Sequence, residues 1–134
     1  MSHVWKFFFV YALIATTAAC GAALKKDSLP GEFEEGLAVY YADSLHGKKT
    51  ASGELYDKEA LTAAHRKLPM GTIIRVTNLR NRRSVEVRVN DRGPFSSRKR
   101  IIDLSRKAAE RVDMIRAGVV EVRIEIVSVP DPKP

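Results

Sequence analysis

The 134-residue chain contains one cysteine, Cys20, and three histidines. A single cysteine excludes an intrachain disulfide framework and cysteine-rich zinc modules. No serine stands in a nucleophile-elbow context, and no glycine-rich loop of the phosphate-cradling kind occurs. Charged residues at 29% argue against a polytopic membrane protein, and hydrophobic residues at 45% make a packed core possible and intrinsic disorder unfavourable. Lys and Arg number 23 against 16 Asp and Glu, a formal charge of +7, so an anionic partner is plausible. The length suits one domain.

Residues 1–19 read as an export signal. Lys6 is the positive start, Phe7 to Ile14 is an uncharged apolar run, and Ala15 to Ala19 are small. The run is too short for a membrane span of about 20 residues. Cys20 is either an incidental thiol near a cleavage site or a lipid-modified N-terminal residue. Thr17-Ala18-Ala19-Cys20-Gly21 looks like a bacterial lipobox, although Leu is usual where Thr17 stands. Multiple acyl chains on Cys20 would anchor the chain stably to a membrane. Gly21 rather than Asp after the cysteine looks like an outer-membrane address. An exported basic protein is not expected to meet nucleic acid; the acidic cell-wall polymer is the better partner, the alternative being a merely solvated basic surface.

Residues 20–35, with Pro30 and Gly31, read as a tether reaching about 50 Å if extended. Residues 36–127 are the domain, and residues 128–134, with Pro130, Pro132 and Pro134, are expected to be a loose tail. Strand signals dominate the domain. Leu37 to Tyr41 and Thr72 to Thr77 are apolar or β-branched. Val85, Val87 and Val89 alternate with Glu86 and Arg88, and Val120, Val122, Ile124 and Ile126 alternate with Glu121, Arg123 and Glu125. Asn78 to Arg83 reads as a hairpin turn carrying Arg80, Arg82 and Arg83, suited to solubility or to an acidic polymer. Ser105 is the expected N-cap of one helix, with Leu104, Ala108 and Val112 on its buried side. The Val85–Val89 run echoes Val120–Ile124, as two pseudo-equivalent halves would. Many short strands and one short helix predict an all-β fold, economically a small closed barrel without exposed edges.

Beyond the signal only His46 and His65 remain, far apart and without carboxylate spacing, so no metal and no cofactor is expected. Carboxylate chemistry is what is left. Asp91 continues the parity of Val85, Val87 and Val89, which predicts that it faces the apolar side at the strand end. Partial desolvation there favours a protonated carboxyl, the profile of a general acid, and Gly93-Pro94 would turn the chain away and open a groove. A structural turn aspartate is the alternative. His65, between Ala64 and Arg66, could orient or charge-tune a carboxylate, or be a hydrogen-bonded core residue. The small polar loop Thr50-Ala51-Ser52-Gly53-Glu54 allows a sugar to approach, or is an ordinary connection. Asp103, in Ile102-Asp103-Leu104, is a helix cap or a second acidic group in the groove.

Residues 36–127 strongly resemble the rare lipoprotein A (RlpA) family of six-stranded double-psi β-barrels. The matching segments are His46-Gly47, Thr50 to Glu54, Thr62-Ala63-Ala64-His65, Leu68 to Thr72, Arg75 to Leu79, Val87 to Phe95 and Arg100 to Ser105. Asn90-Asp91-Arg92-Gly93-Pro94-Phe95 together with Thr62 to His65 is the specific combination. The resemblance implies a lytic transglycosylase acting on peptidoglycan glycan strands, preferably stripped of stem peptides. It places the family's acidic residue on Asp91 and its histidine on His65, with glycan contacts near Tyr41, Thr50, Ser52 and Asn90. Tyr41-Ala42-Asp43 departs from the usual Tyr-Gly. Asp91 alone would protonate the glycosidic oxygen and then take the proton of the muramyl 6-hydroxyl, giving a 1,6-anhydro end. Two alternatives are a non-catalytic wall-binding module, as in plant expansins of this barrel, and a hydrolase that uses Asp103 as its second carboxylate.

Overall fold

The computed structural model describes residues 30–133. The signal, the lipobox and Cys20 lie outside the described residues. Six strands form: β1 (Phe33–Tyr40), β2 (Thr62–Ala64), β3 (Ile73–Asn78), β4 (Ser84–Asp91), β5 (Arg100–Leu104) and β6 (Val120–Ser128). One helix, α1 (Arg106–Arg111), and a single 3-10 turn (Asp43–Leu45) complete the regular structure. The strands close into a barrel in the order β1-β5-β2-β4-β3-β6, with β6 returning to β1. The β1–β5 and β2–β4 pairs are parallel and the other four are antiparallel. This is the closed six-stranded, nearly all-β architecture expected.

Alternation explains the strands. Val85, Val87 and Val89 of β4 and Val120, Val122, Ile124 and Ile126 of β6 point into the core with Ile74, Val76, Ile102 and Leu104. Each such side chain contributes roughly 1.5–3 kcal/mol when fully buried. The two echoing runs have the same burial pattern and both flank β3 in antiparallel register. β1 comes close to β5 at Gly36, where a Cβ would lie 2.6 Å from Ile101 Cγ2. Only glycine permits that approach.

The turn between β3 and β4 closes through Asn78, whose N–H donates to the Arg83 carbonyl at 2.8 Å. The Ser105 hydroxyl accepts from the Ala108 N–H at 3.2 Å and caps α1 as expected. Ala108, Ala109, Val112 and Met114 then cover the core.

Both domain edges extend beyond residues 36–127. β1 starts at Phe33, because Phe33 to Gly36 pair with Glu125 to Val122 of β6. At the other end Ser128 pairs with Ile73, and Val129 packs against the core. Among the described residues no helix is long and apolar enough to cross a membrane.

Candidate active site

The site is built on one row of outward-facing positions. Ala64 of β2 is registered with Asp91 of β4 on one side and with Asp103 of β5 on the other. Val39 of β1 is registered with Asp103 in turn. Asp103 alternates with Ile102 and Leu104, both fully buried, so its side chain leaves the core. Two interstrand steps separate the two aspartates, roughly 10 Å between Cα atoms. The side chain between them is a single methyl.

Asp91 reaches this row by a different route from simple alternation. Ala63 pairs with Val89 but Ala64 pairs with Asp91, so β4 carries an extra residue at Asn90. A bulge of this kind reverses the parity of the residues beyond it. Asn90 is therefore buried, and Asp91 turns away from the apolar side occupied by Val85, Val87 and Val89. The carboxylate accepts the Ala51 N–H at 2.8 Å, its neighbour Arg92 N–H at 2.8 Å, and the Tyr41 hydroxyl. Both oxygens are engaged as acceptors, which fixes the rotamer. Tyr41 itself packs on Tyr56, with ring centroids 4.4 Å apart. Burial raises the Tyr41 phenol above its ordinary pKa, and the hydrogen bond to Asp91 and the charges of Asp91 and Asp103 add to the effect. Tyr41 therefore stays protonated and donates.

The desolvated carboxyl of the site is Asp103. Burial pushes it up to about 6, Arg100 opposes the shift and the negative Asp91 reinforces it. Among the described residues Asp103 Oδ1 is buried with no hydrogen-bond partner. An ionised oxygen without partners is costly in such a place, so Asp103 holds its proton to a higher pH than an exposed aspartate does. The desolvation expected at Asp91 is thus found two strands away. The bulge is the physical reason, since it takes Asp91 off the apolar face and surrounds it with donors.

His65 does not turn its ring towards the Asp91 carboxylate. Its Nδ1 accepts the N–H groups of Lys67 and Leu68, both at 3.1 Å, and its Nε2 lies 3.3 Å from Glu34 Oε2. Two backbone donors on Nδ1 leave the proton on Nε2, which donates to Glu34. Burial lowers the imidazole's pKa; Glu34 works the other way, and Arg66 and Arg92 add to the lowering. The link between His65 and Asp91 runs through the main chain, the His65 N–H donating to the Asp91 carbonyl at 3.2 Å. Arg92 closes the same corner by donating to the carbonyls of His65 and Leu68 at 3.2 and 2.8 Å.

The Thr50–Glu54 loop forms one lip. Thr50 is buried, and its hydroxyl donates to the Glu54 carbonyl at 2.8 Å. Ser52 is exposed; its N–H donates to the Asn90 carbonyl at 3.2 Å. Tyr41, Ser52, Asp91 and Asp103 are thus exposed or half-buried, whereas Thr50 and Asn90 are buried. Sequence reasoning missed the clamp on this lip. Arg88 donates to both oxygens of Glu54, at 2.8 and 2.9 Å, and holds that carboxyl below its usual range. Alternation put Arg88 on the outer face of β4, but nothing local links it to a partner 34 residues away. Among the described residues no group of three His, Cys, Asp or Glu side chains is arranged to hold a metal ion. Chemically, one carboxyl with a raised pKa and one held as an acceptor can deliver and receive protons on the same bound molecule.

Comparison with known proteins identifies the family and the fold. A family model described as lytic transglycolase matches residues 34–124. A Campylobacter jejuni protein named endolytic peptidoglycan transglycosylase RlpA is 57% identical over 97 residues, covering 72% of this chain and 35% of the relative. A Treponema pallidum protein named probable endolytic peptidoglycan transglycosylase RlpA is 54% identical over 90 residues, covering 67% and 28%. The chain spans about a third of the length of the curated relatives it matches. Among solved structures, a Streptomyces papain inhibitor superposes with a TM-score of 0.61 at 26% identity, over 76% of this chain and all of the inhibitor. A Clavibacter michiganensis expansin gives 0.58 at 19% identity, over 77% and 53%, and shares the double-psi barrel fold.

Proposed function

The chain belongs to the lytic transglycolase family, and we propose on that footing that it is an endolytic peptidoglycan transglycosylase. It cuts the bond from N-acetylmuramic acid to N-acetylglucosamine inside glycan strands, preferably strands without stem peptides, and leaves 1,6-anhydro ends. The observation that carries this reading is the Asp91–Asp103 pair: two carboxyl groups on one outward row, one desolvated and one engaged by three donors.

Asp103 gives its proton to the bridging oxygen as the bond to the muramyl C1 breaks, and the bonding pair leaves with that oxygen. Positive charge develops on the muramyl ring, facing the Asp91 carboxylate. The muramyl 6-hydroxyl oxygen then bonds to C1 while Asp91 takes its proton. No water is consumed. Afterwards Asp91 carries a proton and Asp103 is ionised, and exchange with solvent restores the pair. This divides between two groups the work that the family resemblance assigned to Asp91 alone. It uses two carboxyls as ordinary glycosidases do, with an internal hydroxyl in place of water. Tyr41 orients Asp91, and His65 positions it through the main chain.

The proposed setting is the bacterial cell envelope. The lipobox supports a lipid anchor on Cys20 in the outer membrane facing the periplasm, with the chain up to β1 as the tether. The partner is the glycan strand; no nucleic acid and no cofactor is invoked.

The test is mass spectrometry of peptide-free glycan digested with the full chain. Anhydro ends support the proposal. Reducing ends would instead make it a hydrolase built on the same carboxyl pair. Binding without cleavage would make it an expansin-like module and overturn the enzymatic reading.

A further inference from the structure

We propose that the groove beyond Phe95 is a second saccharide-binding segment, in which Phe33 and Phe95 stack on sugar units remote from the bond being cut. The identity of the polymer rests on the function proposed above; the site itself rests on separate observations. The groove measures about 870 Å³ and runs between Phe33, His65, Arg66, Phe95 and Arg98. That is within the usual range for small-ligand sites, roughly 300–1,000 Å³.

Phe33 and Phe95 are the aromatic members of the exposed large apolar side chains among the described residues, at 61% and 76% exposure, and both line this groove. The Phe33 ring and the backbone that carries Phe95 are both held. The Arg123 guanidinium lies 4.5 Å from the Phe33 centroid and is itself held by Glu35 through contacts of 2.9 and 2.7 Å. The Phe95 loop is tied by Arg66, which donates to the carbonyls of Pro94, Ser97 and Arg98 at 3.3, 3.1 and 3.3 Å. A ring and a loop fixed in advance lose less freedom on binding. The same groove is lined by the His65–Glu34 pair and Arg98 beside the apolar Leu68, Ile124 and Ile126. Flat apolar faces beside hydrogen-bonding groups match a pyranose, whose C–H face is apolar and whose rim carries hydroxyls.

Continuity with the row of aspartates selects a strand as the occupant. Gly93 joins the two regions: a Cβ built on it would lie 3.6 Å from Asp103 Oδ2 and 3.8 Å from the Phe95 ring. A polymer whose scissile bond sits at Asp103 therefore meets Phe95 next and Phe33 further on.

The experiment measures dissociation constants for peptide-free glycan oligomers of graded length, using the full chain carrying Asp91→Asn, with and without Phe33→Ala. Affinity should rise with oligomer length while Phe33 is present. Phe33→Ala should flatten that rise, weakening the longest oligomer about five- to tenfold and the shortest much less. Phe33→Tyr should restore it. In the active chain the same flattening should appear in KM. Binding that ignores Phe33→Ala at every length, or falls equally at every length, overturns the proposal. Product analysis on the unaltered chain separates the two ideas. Cleavage with Phe33-independent binding overturns the groove alone; Phe33-dependent binding without cleavage overturns the transglycosylase alone; no binding at any length overturns both.

Discussion

Asp91 and Asp103 stand on strands that do not pair with each other, yet each is the registered partner of Ala64. The two carboxyl groups feel one another electrostatically, and a methyl group is all that rises from the strand between them. The relationship makes the two acids one unit, and its consequences can be measured separately for activity and for stability.

For Asp103 the expected signature is opposite in the two measurements. Its folded pKa, about 6, lies above the ordinary 3.8. The native state therefore binds the proton more tightly than the unfolded chain, so stability from this group is present below about pH 4 and lost as pH rises to about 6. The shift corresponds to about 3 kcal/mol, reduced to about 1–2 kcal/mol by solvent screening of a partly exposed group. Asp103→Asn should remove cleavage, and above pH 6 should melt higher than the unaltered protein. Cleavage by the unaltered chain should decline as pH climbs past 6. Superimposable stability–pH curves for the two proteins would refute the assignment.

Asp91→Asn should also remove cleavage while leaving the fold intact, since the amide oxygen can still accept the Ala51 and Arg92 N–H groups. Tyr41→Phe is milder. It keeps the packing on Tyr56 and deletes the hydroxyl that donates to Asp91. A drop of about 10- to 100-fold in kcat with a stability change within about 1 kcal/mol is expected. Steady-state kinetics and thermal melts read both; full activity in Asp91→Asn would remove this residue from the mechanism.

His65→Ala tests a scaffold role. It orphans the N–H groups of Lys67 and Leu68, the second of them buried, and leaves a hole beneath Glu34. A loss of about 1–3 kcal/mol is expected from the buried Leu68 donor alone, read by urea unfolding. Wild-type stability together with lost activity would instead restore the imidazole to a direct part in the chemistry.

The Arg88–Glu54 clamp should act on activity through the lip. Glu54→Gln weakens a bidentate pair and frees the loop whose Ala51 N–H holds Asp91. Because the pair is exposed, stability should move by less than about 1 kcal/mol. A fall in kcat of about tenfold is expected, and Arg88→Gln should add little to it in a double-mutant cycle. Independent, additive effects would show that the two residues do not act together.

Strand identity was readable in the one-dimensional pattern. Val85 to Val89 and Val120 to Ile126 alternate strictly, and a period of two can bury only one face of a strand. Ser105 announced its helix because capping is a local hydrogen bond. The family resemblance likewise singled out Asp91 and His65 from short motifs along the chain. Three things were decided only by the folded chain. The extra residue at Asn90 reverses the side on which Asp91 emerges, and a bulge is visible only when the partner strand is in place. The imidazole of His65 turns to Glu34, 31 residues away in sequence, because local N–H groups occupy its other nitrogen. Asp103 becomes the desolvated acid because barrel closure sets β5 beside β2 and brings the charge of Asp91 near. Periodicity and capping depend on neighbours along the chain, whereas desolvation and charge coupling depend on what the fold brings together across it.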